Sequence, residues 1–276
     1  MRLILFFLFI SLCIYSQNNG VKTPVYNDYK SDSSFINFSK LKNDVARAQI
    51  VSLKKGALLV RLKTNNQTIL KLKQTGNSDL AIQLEREQAI KNKIIIYSYL
   101  LEFKFCHVYF FYSDYSDSVK HKSLNGVFVD TTLALNPNIN CNQSFYMIAD
   151  NRTVVYNSSL GLVPQSKTHL VSENGTSSRE VAIAVKNSQF IQVHKPFPYF
   201  QIKSTSLSNA NETTNNLKNT LFNLYVQLQK EKISMSEFKD YKKFKGSVYL
   251  FNQALETFYK ENETYSIPLH IKQYIY

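Results

Sequence analysis

A chain of 276 residues, 44% of them hydrophobic, can bury a core for one sizeable domain and an appendage, which excludes a wholly disordered protein. Its formal charge of +13 suits contact with acidic surfaces such as lipid headgroups or anionic polysaccharide. Cysteine use is sparse, at three residues, and tryptophan is absent.

Met1 and Arg2 supply one positive charge, and residues 3–15 (LILFFLFISLCIY) form an unbroken run of apolar and small residues. Ser16 offers a small residue for cleavage, and residues 17–20 are polar. That order predicts a secretory signal peptide over 1–16. The run is shorter than the ~20 residues that span a bilayer, so a short uncleaved anchor is the competing reading. Leu12 is too bulky to precede a lipid-modified Cys13. The expected localisation is extracytoplasmic, either periplasmic or secreted, with no transmembrane segment after signal cleavage. That compartment argues against nucleic acid as a partner.

Residues 17–34 are polar and aperiodic and are expected to form a flexible leader. An α+β domain is expected over 35–202, and a Ser/Thr/Asn-rich linker over 203–216. Residues 45–53 fit either a strand or a short helix ended by Gly56. Residues 57–63 (ALLVRLK) alternate as a strand with Leu58, Val60 and Leu62 on one face. A short helix over 66–75 closes at Gly76. A long helix then runs from Ser78 to about Leu101, with Ile90, Ile94, Tyr97 and Leu101 as its stripe.

Residues 103–112 (FKFCHVYFFY) read as a strand covered on both faces, and 127–129 as a short second strand. Two hairpins are expected next. The first joins 144–149 to 153–156 around Asp150-Asn151-Arg152, and the second joins 180–186 to 189–194 around Asn187-Ser188. Pro196 and Pro198 mark an edge. The fold class is therefore α+β, with a long helix and a mainly antiparallel sheet.

The C-terminal part, 217–276, is read as an antiparallel helical hairpin and tail. Leu217, Leu221, Leu224 and Leu228 form one seam, and Tyr241, Phe244, Val248, Phe251, Leu255 and Phe258 the other. Ser234 and Glu237 make a capping box between them. The tether through 203–216 favours docking of the hairpin onto the α+β domain of the same chain.

Chemical motifs are sparse. CxxC, HExxH, GxSxG, GxGxxG and GxxxxGK[ST] do not occur, and the SxxK tetrads at Ser39, Ser52 and Ser236 lack their companion motifs. The histidines show no metal-ligand spacing, so no metal and no cofactor are expected. Cys106 and Cys141 are a candidate disulfide in an oxidising compartment, or two buried thiols. Cys106 and His107 are adjacent on a strand and point apart, which argues against a dyad between them. Ser113, Asp114 and Asp117 form the candidate binding loop, because they leave the end of the most buried-looking strand. Two carboxylates with hydroxyls between them suit a cation or a sugar hydroxyl, and equally an Asx-type turn.

Sequons occur at Asn37, Asn66, Asn142, Asn151, Asn157, Asn174, Asn211 and Asn262. The short signal ending at Ser16-Gln17, together with the Lys- and Asn-rich composition, resembles exported proteins of Bacteroidetes-type bacteria. The resemblance covers the signal and composition alone. It implies the periplasm or outer envelope, where these sequons are silent. The expected function is an exported, non-catalytic binding or envelope-associated structural protein. Its partner would be an anionic envelope surface or another envelope protein. The alternative is a periplasmic hydrolase or thiol-dependent enzyme using the Asp114/Asp117 loop or Cys106.

Overall fold

The computed structural model describes residues 32–157, 161–163, 177–202 and 235–275. Two compact units divide the chain, Met1–Leu41 and Lys42–Tyr276. In the first, the described residues 32–41 are helical, so Asp32, Ser33 and Ser34 belong to a helix rather than to the expected leader; the rest of the leader and the signal lie outside the described residues.

Helix α1 (Asp32–Lys54) resolves the ambiguity of 45–53 in favour of helix. Ala46, Ile50 and Leu53 are buried at helical spacing. The Gly56 amide closes it by donating to the Leu53 carbonyl at 3.0 Å. Strand β1 (Ala57–Leu62) follows at once, with every residue except Arg61 buried. The alternation in ALLVRL marks a strand but not its environment, since both faces are covered. Helix α2 (Asn66–Gln74) ends as expected at Gly76, whose φ of 78° admits bonds from the Gly76 and Asn77 amides back to Lys73 and Leu72.

Helix α3 (Ser78–Glu102) carries the chain back alongside β1. Of the expected stripe, Ile90 and Ile94 are buried but Tyr97 and Leu101 are only half-buried; Ile96, Ser98 and Tyr99 are enclosed instead. Strand β2 (His107–Tyr112) then pairs parallel to β1, from Ala57↔His107 to Leu62↔Tyr112. Residues 103–106, expected as strand, lie outside it.

A 3-10 turn (Ser113–Tyr115), helix α4 (Ser116–Lys120) and strand β3 (Phe128–Val129) lead to β4 (Tyr146–Asn157). β4 pairs parallel to the other side of β1. Strands β5 (Gly161–Val163), β6 (Ser177–Lys186) and β7 (Phe200–Ile202) complete a seven-stranded sheet, ordered β3-β2-β1-β4-β6-β7 with β5 beside β4. The protein is thus mixed α/β. The expected antiparallel pairing holds from β4 outward and at β3, whereas the centre, β2-β1-β4, is parallel. The helical crossover through α2 and α3 makes β1 and β2 parallel, and the connection over 113–145 brings β4 in parallel on the other side of β1.

The hairpin expected around Asp150-Asn151-Arg152 does not form. Those residues sit inside one continuous strand, in register with Ala184, Ile183 and Ala182 of β6. The three polar residues imitate a turn in sequence. In the strand, the Asp150 carboxylate is neutralised by Lys186 at 2.7 Å. The second hairpin survives as a turn: the Asn187 side chain accepts from the Gln189 and Ile191 amides, and the return strand shrinks to one bridge, Lys186↔Gln192. The edge strand is β7, which follows the two prolines.

On one face of the sheet, Ala57, Leu59, Phe111, Tyr146 and Ile148 pack under Val119, Val127 and Phe128 from the β2–β4 connection. The other face packs against α3 and helix α5 (Met235–Lys260). Phe251 of α5 stacks on Phe103 (5.9 Å between centroids, 21° between planes), and Phe244 meets Tyr99 at 6.3 Å. The Asn252 side-chain oxygen accepts from the Lys104 and Phe105 amides at 2.7 and 2.9 Å, clamping the bend between α3 and β2. Helix α5 is therefore built into the same body as the sheet. The linker and the seam from Leu217 to Leu228 lie outside the described residues, as does Ser234; α5 begins one residue after that expected cap.

Candidate functional site

Strands β1 and β2 end level with one another, at Leu62 and Tyr112, so their following loops meet. From the first come Thr64 and Asn66, and from the second Ser113 and Asp114. Asp114 Oδ1 accepts from the Thr64 hydroxyl at 2.6 Å and the Ser113 hydroxyl at 3.2 Å; Oδ2 accepts from the Asn66 amide at 2.6 Å. The Ser116 hydroxyl closes the turn onto the Ser113 carbonyl.

Asp117 does not join this group. Its backbone carbonyl takes the His121 amide at 3.0 Å and contacts His121 Nδ1 at 2.8 Å, and the residue is exposed on α4. The structure thus brings together Ser113 and Asp114 but not Asp117. The Asp114 carboxylate ties two βα loops to each other, a role no local spacing could reveal because its donors lie 48 and 50 residues away.

Behind this knot, Asn65 adopts a left-handed conformation (φ 55°) and donates to Gln88 Oε1 at 2.7 Å. Gln88 donates to Asn92, and Asn92 to the Lys63 carbonyl at 2.8 Å. This chain of amides satisfies polar groups that would otherwise be buried and costly. It fixes the path of the chain where β1 gives way to α2.

A second cluster sits at the same end of the sheet. Arg61 and Asp150 face each other in the β1–β4 register. Asp150 Oδ2 lies 2.7 Å from Lys186 Nζ and 3.7 Å from Arg61 Nη1. The Phe190 ring lies beside both cations, 5.7 Å from Arg61 Cζ and 5.9 Å from Lys186 Nζ. Sequence reasoning missed this cluster. Its signal was an arginine inside the apolar run ALLVRL, since a charge in a buried strand requires a counter-charge.

The placement matters topologically. The connection from β1 leaves through α2 and α3 to β2 on one side, and β4 passes to β6 on the other. Strands β1 and β4 therefore flank the point where connections diverge. In open sheets with parallel strands, ligands bind outside the carboxyl ends at such a point; here β1 and β2 end, while β4 runs on past Asp150 to Asn157.

Among the described residues, Cys106 and Cys141 are free thiols, so the disulfide that was one of their two expected states is not formed. Cys141, on the β2–β4 connection, packs with Tyr109 against the core cluster and donates to Gln143 at 3.3 Å. Cys106 sits beside Lys54 and Glu256, near α1 and α5, and donates to the His107 carbonyl at 3.5 Å. Different neighbours on different elements keep the two sulfurs apart. Burial pushes the Cys106 thiol up to about 12, outweighing the lowering influence of Lys54 and of a hydrogen bond with the Leu58 backbone. Burial also raises the Cys141 thiol. Alkylation of the denatured, unreduced protein should therefore find both thiols free. In the native protein at pH 8, Cys106 should react at least tenfold more slowly than in the denatured chain. Rapid native labelling of Cys106, or a missing thiol in the denatured count, would contradict this placement.

Among the described residues, no three His, Cys, Asp or Glu side chains gather as metal ligands, and no helix is long and apolar enough to cross a membrane. The His194 ring lies tilted against Tyr199, with 6.0 Å between centroids and 52° between planes. The aromatic stretch after His194 is largely structural, with Phe197 buried and packed edge-on against Phe258. No protein-family model matches the chain, and neither a curated protein nor a solved structure matches it.

Proposed function

We propose that this chain is an exported, non-catalytic binding protein of the cell envelope, with its ligand site at the carboxyl ends of β1 and β2, beside the middle of β4. What supports the non-catalytic half is the setting of Cys106: the half-buried thiol is raised by desolvation, which counts against the thiol-enzyme alternative alone. Asp114 points the same way: its oxygens accept three hydrogen bonds within the two loops, and Asp117 stands apart from it.

Support for the ligand edge is the convergence of Asp114, the amide chain and the Arg61 cluster where the parallel strands end. Export rests on residues 1–16, and the net charge of +13 suits an anionic envelope surface or an acidic envelope protein as partner. The spacing of Leu217, Leu221, Leu224 and Leu228 supports a helix preceding α5 in an antiparallel hairpin.

Mass spectrometry of the protein expressed in its own host tests the export half. The expected product begins near Gln17 and fractionates outside the cytoplasm. A chain retaining Met1 in the membrane fraction would overturn export. Fast native alkylation of Cys106 would overturn the non-catalytic half.

A further inference from the structure

The cluster at the end of β1 holds two cations against one carboxylate, and the three groups do not satisfy one another equally. Lys186 makes a short contact with Asp150 Oδ2, at 2.7 Å. Arg61 reaches the same oxygen only at 3.7 Å, beyond a hydrogen bond. Its Nε is enclosed and has no hydrogen-bond partner among the described residues. A guanidinium carries five N–H donors, and leaving an enclosed one without an acceptor is costly. The Arg61 side chain as a whole is 29% exposed, so solvent reaches it at atoms other than the enclosed Nε. The Phe190 ring fixes it from one side at 5.7 Å and supplies no acceptor oxygen.

We infer that Arg61 is the anion-binding residue of this edge, taking an oxyanion (a carboxylate or phosphate group of the ligand) on its guanidinium. This deepens the binding-protein reading and rests on it. The planar fork of arginine matches two oxygens of such a group, and Lys186 adds a positive field behind it. Asp150 holds both cations in place while cancelling only one of their charges. The bound oxyanion cancels the other. The cluster lies between β1 and β4, where connections diverge, on the strand next to the one that leads to Asp114.

The test is a titration of the mature protein with inorganic phosphate, and separately with acetate, at constant ionic strength with chloride as the balancing ion. Melting temperature and the amide spectrum of β1 and β4 are the readouts. One of the two anions should stabilise the wild-type chain saturably. Arg61→Gln should weaken that binding about ten- to a hundredfold, as expected for loss of hydrogen bonds to a charged group. Arg61→Lys keeps the charge but not the fork and should fall between. Lys71→Gln, an exposed lysine on α2, should behave as wild type. Near-ultraviolet circular dichroism of each variant confirms that it is folded.

Vesicles containing phosphatidylglycerol separate the possible sources. Arg61-dependent vesicle binding places the oxyanion on a lipid headgroup, and a phosphate or acetate response without vesicle binding places it on a soluble molecule. No saturable response to either anion, or equal responses in wild type and Arg61→Gln, overturns the assignment. Neither result touches the N-terminal mass or the Cys106 labelling, so failure here is distinguishable from failure of the proposed function.

Discussion

Phe251→Ala should cost about 3–5 kcal/mol and lower the melting temperature of the whole 42–276 unit by roughly 10 °C. Phe251 is 1% exposed and lies face-on against Phe103, the last ring before the bend into β2. Its removal leaves a cavity that stiff neighbours cannot fill, since Phe103 and Phe105 are themselves buried and Asn252 pins the bend. The damage therefore spreads from α5 to α3 and to the start of β2. Tyr249→Ala, at a 40% exposed site on the same helix, should change stability by about 0.5 kcal/mol or less. Thermal unfolding followed by far- and near-ultraviolet circular dichroism distinguishes the outcomes. A single, lowered transition by both probes is expected. Two transitions, with the sheet melting at its wild-type temperature, would mean that α5 is a separate module.

That seam was readable because an aromatic every three or four residues is a pattern only a helix can bury. Tyr241, Phe244, Val248, Phe251 and Leu255 are buried at the positions the spacing assigns, and the sixth, Phe258, is half-buried. The partner surface was less readable. Helix α3 presents Ile96, Ser98 and Tyr99 as well as its expected isoleucines, because it lies between the sheet and α5 and needs more than one apolar face. The same limit applies to the sheet. Strands β1, β2, β3, β4 and β6 were visible as apolar runs, whereas β5 and β7 were not; direction depends on the crossover, and nothing within ALLVRL or HVYFFY distinguishes parallel from antiparallel neighbours. Asp150-Asn151-Arg152 misled for a related reason. Turn chemistry is judged locally, whereas Lys186, which makes Asp150 tolerable in a strand, is 36 residues away.

The site followed the same logic. Ser113 and Asp114 stood out because they end a buried strand, and they do lie at the carboxyl edge. Asp117 shared their composition but not their position: one turn of 3-10 helix before α4 directs it elsewhere. Thr64 and Asn66 carried no signal of their own, since hydroxyls and amides after a strand are ordinary loop residues. Only the parallel pairing of β1 with β2 brings them to Asp114. Arg61 was the one member whose residue type was out of keeping with its surroundings.

Gly56→Ala should destabilise the protein by about 3 kcal/mol, although alanine suits a helix end far better than it suits a tight turn. The reason is space rather than backbone freedom. A Cβ at Gly56 would lie 2.4 Å from the Phe145 carbonyl oxygen, 3.0 Å from that of Ser52 and 3.2 Å from the Phe145 carbonyl carbon. All three are backbone atoms, so no side chain can rotate away. The Phe145 oxygen also accepts the Ala57 amide at 3.1 Å, the bond that starts β1 against the approach to β4. Relieving the clash moves that carbonyl and weakens the parallel pairing on which the Arg61–Asp150 register depends. Gly76 provides the contrast. It has a φ of 78° with open space around its Cβ position, so Gly76→Ala costs only the strain of a left-handed residue, about 1 kcal/mol. Urea unfolding of the two variants should rank Gly56→Ala well below Gly76→Ala, with similar slopes. Equal midpoints for Gly56→Ala and wild type would show that α1 does not cross the β4 backbone as closely as this geometry requires.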